Sequence, residues 1–257
     1  MPDFEKAAES FGAEAARYHR TRPRYPDEMV KAVVDAMPGT DVLDVGIGTG
    51  IAAAQLRAAG CRVLGLDPDA RMAEFARAAG FDVEIARIED WDPAGRAFDA
   101  VTAAQAWHWV DPVEGAAKAA QALKPGGRLA AFWNVAETPD DVDVAFRAVY
   151  HEAAPELEHY RQKMPGMAAY SVAFVKVSQG IEETEAFDPP ELWRFEWERA
   201  YTKDEWLDQL PTFGDHSQLS PAQLEQVLSG IGAAIDELGG SFTMPMTAVV
   251  VTAAKRS

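Results

Sequence analysis

One cysteine, Cys61, occurs in 257 residues, which excludes an intramolecular disulfide and a cysteine-based metal site. It sits in "AAGCRVLGLD", just ahead of an apolar run, and reads as a small core residue. Basic residues are also scarce, with 24 Lys and Arg against 41 Asp and Glu, a formal net charge of -17. Neutralisation of phosphates by Lys and Arg supplies most non-specific nucleic-acid affinity. With no basic run present, nucleic acid is not an expected partner. No apolar run approaches the roughly 20 residues that a membrane span needs. The segment "MPDFEKAAESFG" has neither a basic flank nor an apolar h-region, so no signal peptide is expected and the expected location is cytoplasmic. His151, His159 and His216 do not have metal-ligand spacing, and no metal site is expected.

Hydrophobic residues make up 48% and charged residues 25%, ordinary values for a globular chain with a sizeable core. Residues 41–135 alternate two patterns. "DVLDVG" (41–46), "RVLGLD" (62–67), "DVEIA" (82–86), "FDAVTAA" (98–104) and "GRLAAFW" (127–133) are short apolar runs of strand type. Between them, "GIAAAQLRAAG", "PDARMAEFARAAG" and "DPVEGAAKAAQALKPGG" space apolar residues three or four apart, and each reaches a glycine where a helix C-cap is expected. Strands alternating with helices imply parallel βαβ units and a doubly wound α/β fold.

Outside this stretch, residues 4–37 predict two helices separated by "RTRPRYP", and residues 161–191 read as irregular. "TKDEWLDQL" opens with a Thr202–Glu205 capping box, and Ser220 with Pro221 opens another helix. Strands at 192–200 and 246–254 would complete a mostly parallel seven-stranded sheet. The expected organisation is one domain: a helical lid (1–36), a ligand-binding core (37–135), a helical cap (136–191) and completing strands and helices (192–257).

The turn "VLDVGIGTG" (42–50) follows the first strand, where open α/β sheets place ligands. Glycines there supply positive φ and let a ligand approach the backbone. A dinucleotide fingerprint would need its third glycine at position 51, which is Ile51, and no Gly-Lys-Ser/Thr of a P-loop follows. Asp44 would repel a pyrophosphate and suits a ligand carrying an ammonium group. Asp67 lies about 20 residues past the first glycine, the spacing of an acid that binds ribose hydroxyls. A ribose joined to a cationic amino-acid portion describes S-adenosylmethionine.

"VLDVGIGTG", "VLGLDPDARM", "FDAVTAAQAWHWVD" and "ALKPGGRLAAFW" together resemble four consecutive motifs of the class I S-adenosylmethionine-dependent methyltransferases, over about residues 40–135. "RYHRTRPRYP", "AAQAWHWVD" and "LPTFGDHSQLSP" are similar to the small-molecule branch that includes the trans-aconitate methyltransferase-like proteins. The resemblance implies methyl transfer to a small molecule, with Asp44, Gly46 and Gly48 at the methionine portion and Asp67 at the ribose. Met72 is either an adenine contact or a core methionine. Ile88 and Glu89 would read the adenine edge, with Asp90 an alternative acid. Tyr18, Arg22 and Tyr25 are candidates for a lid, Arg22 meeting the cofactor carboxylate. Gln105 would hydrogen-bond near the transferring methyl, and Trp107 and Trp109 would wall a substrate cavity. His108 is either a general base of near-neutral pKa or a packing residue. His216 is a further candidate near the substrate. The acceptor atom stays open, as does monomer or homodimer. A nicotinamide-dependent oxidoreductase and a non-catalytic cofactor-binding protein are the competing functions.

Overall fold

The computed structural model describes residues 14–162 and 166–256; part of the first expected helix, within residues 4–13, lies outside them. In chain order the helices and strands are α1 (Ala15–Thr21), α2 (Asp27–Asp35), β1 (Asp41–Val45), α3 (Ile51–Ala58), β2 (Arg62–Leu66), α4 (Ala70–Ala78), β3 (Asp82–Glu84), β4 (Phe98–Ala104), α5 (Pro112–Ala122), β5 (Leu123–Ala136), α6 (Asp140–Ala153), α7 (Gly166–Glu183), β6 (Glu191–Thr202), α8 (Lys203–Gln209), α9 (Pro221–Glu237) and β7 (Ser241–Ala254). The strands form one seven-stranded sheet of order β3-β2-β1-β4-β5-β7-β6. β1 pairs in parallel with both β2 and β4, and the β2–β3 and β4–β5 pairs are also parallel. The chain order therefore reverses at β1 and β4, the switch point at which a crevice opens beyond the strand ends. This is the doubly wound α/β sheet that the alternating pattern implied.

By contacts the chain divides into two compact units. One comprises 1–23, 136–168 and 196–246; the other comprises 24–135, 169–195 and 247–257. In the second unit, Ile47, Ala53, Ala73, Ala76, Phe81 and Val83 pack together, joining the glycine turn to α3, α4 and β3. β1 and β4 are buried along almost their whole length, which requires their near-continuous apolar composition. In the first unit, Val142, Phe146 and Tyr150 of α6 pack with Trp206, Val227, Ile231, Ile235 and Phe242.

The helix starts follow their capping residues. Asp69 accepts from the Arg71 N–H ahead of α4, and Asp111 accepts from the N–H groups of Val113 and Glu114, with Pro112 in the first turn of α5. Thr202 and Glu205 form the expected capping box of α8, and Ser220 forms one with Gln223 at α9. Cys61 is buried as expected.

Two local expectations fail. Residues 161–191 are not irregular, because α7 occupies Gly166–Glu183. Phe174, Val177 and Ile181 recur at helical spacing and are buried. Gly180 lies so close to Pro112 that no Cβ could fit there. Tertiary packing thus stabilises a segment whose Ser, Gly and β-branched residues are mediocre helix formers. The third expected C-cap also fails: α5 passes at Leu123 straight into β5. Gly126 donates to the Lys255 carbonyl and the Gly127 carbonyl accepts from Lys255, so these glycines serve strand pairing instead.

Candidate functional site

The site described here is built from the second unit alone. At the end of β1 the chain turns through Gly46, Gly48 and Gly50, with φ of +68°, +57° and +83°. Gly46 and Ile47 both donate to the Leu66 carbonyl at 2.8 and 2.9 Å, which ties the turn to β2. A Cβ on Gly46 would collide with that of Ala106, so the residue must be glycine for space as well as for φ. α3 then begins directly at Ile51.

Asp44 points off β1 into an enclosed environment and is only 1% exposed. Its Oδ1 accepts from Thr102 Oγ1 at 2.7 Å, while Oδ2 has no hydrogen-bond partner. Burial pushes its carboxyl up to about 7, against the smaller opposing effect of the Thr102 hydroxyl. The Thr49 hydroxyl in the same turn is buried and likewise has no partner.

Asp67 is buried at the end of β2 and holds two backbones together. Its Oδ2 accepts from the Gly48 N–H at 2.7 Å and its Oδ1 from the Asp69 N–H at 2.9 Å. Burial raises its pKa, and those two backbone donors oppose the rise. Each carboxylate oxygen retains a second lone pair, so the loop contacts and a ribose are compatible. Met72, on α4, is buried. Ile88 is also buried, whereas the Glu89 carboxylate is engaged: Oε1 accepts from the Asp111 N–H at 3.0 Å, and Arg87 Nε stands 3.9 Å from Oε2. Asp90 is exposed.

Gln105 follows directly on β4 and is a non-glycine residue at φ +55°. Such a backbone costs on the order of 1 kcal/mol and concentrates at functional sites. Its N–H donates to the Phe132 carbonyl and its Nε2 to that of Asn134, at 2.9 and 3.1 Å. Asn134 in turn donates from Nδ2 to the Arg24 carbonyl, while its buried Oδ1 has no partner. The third lid candidate, Tyr25, packs within this same unit. It is buried edge-on against Phe132, and its backbone N–H and carbonyl are both bound by Gln55 of α3. The Tyr25 backbone is thus clamped to the helix that follows the glycine turn.

The "WHW" segment forms a short 3-10 turn, Trp107–Trp109. Trp107 does not wall a cavity: it is 1% exposed and lies behind Gly115 of α5. Trp109 is half-buried beside the His108 ring. His108 Nδ1 accepts from Trp133 Nε1 at 3.2 Å. The surrounding protein pushes the imidazole down to about 4, rather than leaving it near neutrality. The residue as a whole is nevertheless exposed, so the crowding is one-sided.

Tyr18, Arg22 and His216 belong to the other unit. The Arg22 guanidinium lies 4.8 Å from the centroids of both the Tyr18 and Phe213 rings and donates to the Thr212 carbonyl at 2.7 Å. Its Nε is buried without a partner, and among the described residues it forms no ion pair. His216 is buried, with Nε2 2.9 Å from the Tyr150 hydroxyl. The sequence reading missed Thr49, Thr102, Asn134 and Trp133. Only their positions at strand ends or inside the glycine turn could have signalled them.

Fold and geometry together set a glycine turn and two buried carboxylates, Asp44 and Asp67, at the switch point of the sheet. Residues 43–131 match the family model described as a methyltransferase domain. An uncharacterized methyltransferase of Mycobacterium tuberculosis is 39% identical over 128 residues, 49% of this chain and 52% of that relative. A malonyl-[acyl-carrier protein] O-methyltransferase of Enterobacter lignolyticus is 33% identical over 156 residues, 58% of this chain and 62% of that relative. The matches thus span between about half and two thirds of these curated relatives. Among solved structures, a protein of Anaeromyxobacter dehalogenans named for a type II methyltransferase shares the fold, with a TM-score of 0.59 and 23% identity over 91% of this chain and 97% of that one. A phosphoethanolamine N-methyltransferase of Haemonchus contortus, solved with S-adenosyl-L-methionine, has a TM-score of 0.55 at 15% identity, covering 97% of this chain and 60% of that one. No helix among the described residues is long and apolar enough to cross a membrane.

Proposed function

We propose that the chain is an S-adenosylmethionine-dependent methyltransferase acting on a small molecule. The observation that carries this is Asp44 Oδ2: a buried carboxylate oxygen without a partner, beside a turn in which Gly46 has no room for a Cβ. Burying an unpaired carboxylate is costly unless a ligand completes it, and an ammonium group does so. The residues present therefore fit the cofactor. Asp44, Gly46 and Gly48 would hold its methionine portion, Asp67 its ribose, and Met72, Ile88 and Glu89 its adenine, with Gln105 near the reacting end. Tyr18 and Arg22 are, by the resemblance, further candidates for binding the cofactor. Bound there, the cofactor supplies a methyl group already activated by a sulfonium, so alignment of the acceptor does most of the catalytic work.

The acceptor reading draws on the likeness of "AAQAWHWVD" and "LPTFGDHSQLSP" to the trans-aconitate methyltransferase-like branch, and on the O-methyltransferase among the relatives. A soluble cytoplasmic enzyme, monomeric or homodimeric and without affinity for nucleic acid, accords with the acidic charge. Titration calorimetry of the full chain with S-adenosylhomocysteine and with NAD tests the cofactor reading. Binding of S-adenosylhomocysteine alone is expected; binding of NAD alone would overturn it.

A further inference from the structure

We propose that the outer edge of β6 pairs antiparallel with β6 of a second copy of this chain, about a two-fold axis through Phe195, so that two sheets join into one. The pairing surface is β6 itself, one continuous strand.

The sheet has two edge strands, β3 and β6. An edge strand presents unpaired N–H and C=O groups along one side, and proteins blunt such edges by keeping the strand short or by placing proline or lysine on it. β3 follows that rule, with only three residues, Asp82–Glu84. β6 breaks it. It runs for 12 residues, Glu191–Thr202, about twice the usual length, and holds no proline, glycine or lysine. Its strand neighbour is β7, and among the described residues no strand occupies its other side.

From Leu192 onward exposure alternates along the strand. Trp193, Phe195 and Trp197 are half-buried, whereas Leu192, Arg194, Glu196 and Glu198 are exposed. The half-buried side is engaged within the chain: the Arg128 guanidinium lies 5.4 Å from the Trp193 ring, and Trp197 packs against the core that α6 and α9 share. Arg194 and Glu196 enter no ion pair among the described residues.

Along an antiparallel edge, residues whose N–H and C=O point outward alternate with residues whose groups point back to the neighbouring strand. Two copies of one strand can therefore meet only in registers where some residue faces its own counterpart. Centring on Arg194, Glu196, Glu198 or Arg199 sets like charges against each other on the axis. Centring on Trp197 sets Glu196 against Glu198 twice. Centring on Phe195 sets Arg194 against Glu196 twice and Glu191 against Arg199 twice, with no like-charge pair. Trp193 then faces Trp197, and Leu192 opposite Glu198 is the one mismatch. No other register within Glu191–Thr202 combines opposite-charge pairs with the absence of like-charge ones. Opposite charges directly across a strand pair stabilise it and like charges oppose it, so the charge pattern selects this register. The segment Glu191–Arg199 would exchange about eight to ten main-chain hydrogen bonds with its copy. The net charge of -17 on each copy opposes association. At about 0.15 M salt that repulsion is screened beyond about 8 Å, and the pairs in contact decide.

Sedimentation equilibrium of the full chain, from about 1 to about 200 μM at that salt, should show monomer and dimer in equilibrium. Arg194→Glu and Glu196→Arg each turn both opposite-charge pairs beside the axis into like-charge pairs, and each should weaken the dimer about tenfold or more. Both side chains are exposed, so the melting temperatures of these variants should match that of the unaltered chain. The double variant, Arg194→Glu with Glu196→Arg, restores every pair with reversed sign and should recover the original affinity to within about threefold. The two single variants, mixed in equal amounts, should bind each other more tightly than either binds itself, because each pair beside the axis is then opposite in charge. A chain that stays monomeric throughout, a dimer indifferent to the single reversals, or single variants that fail to pair when mixed would overturn the proposal. None of these measurements uses the cofactor, so their failure leaves the methyltransferase reading untouched.

Discussion

Replacing Asp44 with Asn should make the protein more stable and a worse binder of its cofactor. Each pKa step of one is worth about 1.4 kcal/mol, so displacement of the carboxyl from 3.8 to about 7 puts the cost of an ionised Asp44 at about 4 kcal/mol. The amide keeps an acceptor for the Thr102 hydroxyl but brings an N–H2 group into a buried site, at about 1–3 kcal/mol. The net gain at pH 8 is about 2 kcal/mol, roughly 4–8 °C in melting temperature for a chain of this size. The pH dependence has a definite sign. Between about 4 and 7 the folded protein keeps a proton that the unfolded chain has lost, so Asp44 lowers stability progressively as pH rises through that window and levels off above it. At pH 5 only about 1.5 kcal/mol of the penalty has developed, and the amide's own cost cancels it. Melting curves of both proteins at pH 5 and pH 8 measure this directly. Calorimetry at pH 8 should show a loss of tenfold or more in S-adenosylhomocysteine affinity, because the ammonium loses a charged partner. A variant equally stabilised at both pH values, less stable at pH 8, or unchanged in affinity would refute the reasoning.

Gly46→Ala places a methyl group against Ala106 Cβ at a residue with φ +68°; about 2–4 kcal/mol of stability and most cofactor affinity should be lost, read by urea melts and calorimetry. Tyr25→Ala empties a buried site beside Phe132 and should cost about 3–5 kcal/mol in the same melts, whereas a lid residue would cost little. Ser220→Ala removes the cap of α9 and should lower stability by about 1 kcal/mol while leaving S-adenosylhomocysteine affinity as it was.

Much of the sheet was legible in the sequence because buried parallel strands must be apolar along their length. "DVLDV" and "FDAVTAA" cannot be solvent-facing segments, and the glycines after the first could serve only a tight turn. The capping box at Thr202 was readable because both of its partners lie within four residues. What escaped depends on residues far apart in sequence. α7 is helical because Phe174, Val177 and Ile181 find a buried surface, and no local pattern reveals that surface. The glycine turn announced a ligand, but Thr102, 58 residues from Asp44, makes one of its carboxylate oxygens a satisfied acceptor and leaves the other available. The sequence left His108 open between a base and a packing residue, and its hydrogen bond from Trp133, 25 residues away, was not readable there.

The chain passes between its two units five times, after residues 23, 135, 168, 195 and 246. Residues 43–131, which match the family model, lie within a single one of these passages. Two crossovers between related genes, at the junctions after residues 23 and 135, can therefore transplant the glycine turn, Asp67 and the Trp-His-Trp segment as one block. They cannot transplant the unit that holds Arg22, Tyr150 and His216, whose pieces are encoded in three separate stretches. That unit is open to change only piecemeal, by substitutions and length changes arising independently in each stretch. A laboratory chimera meant to exchange it must be spliced at all five junctions together.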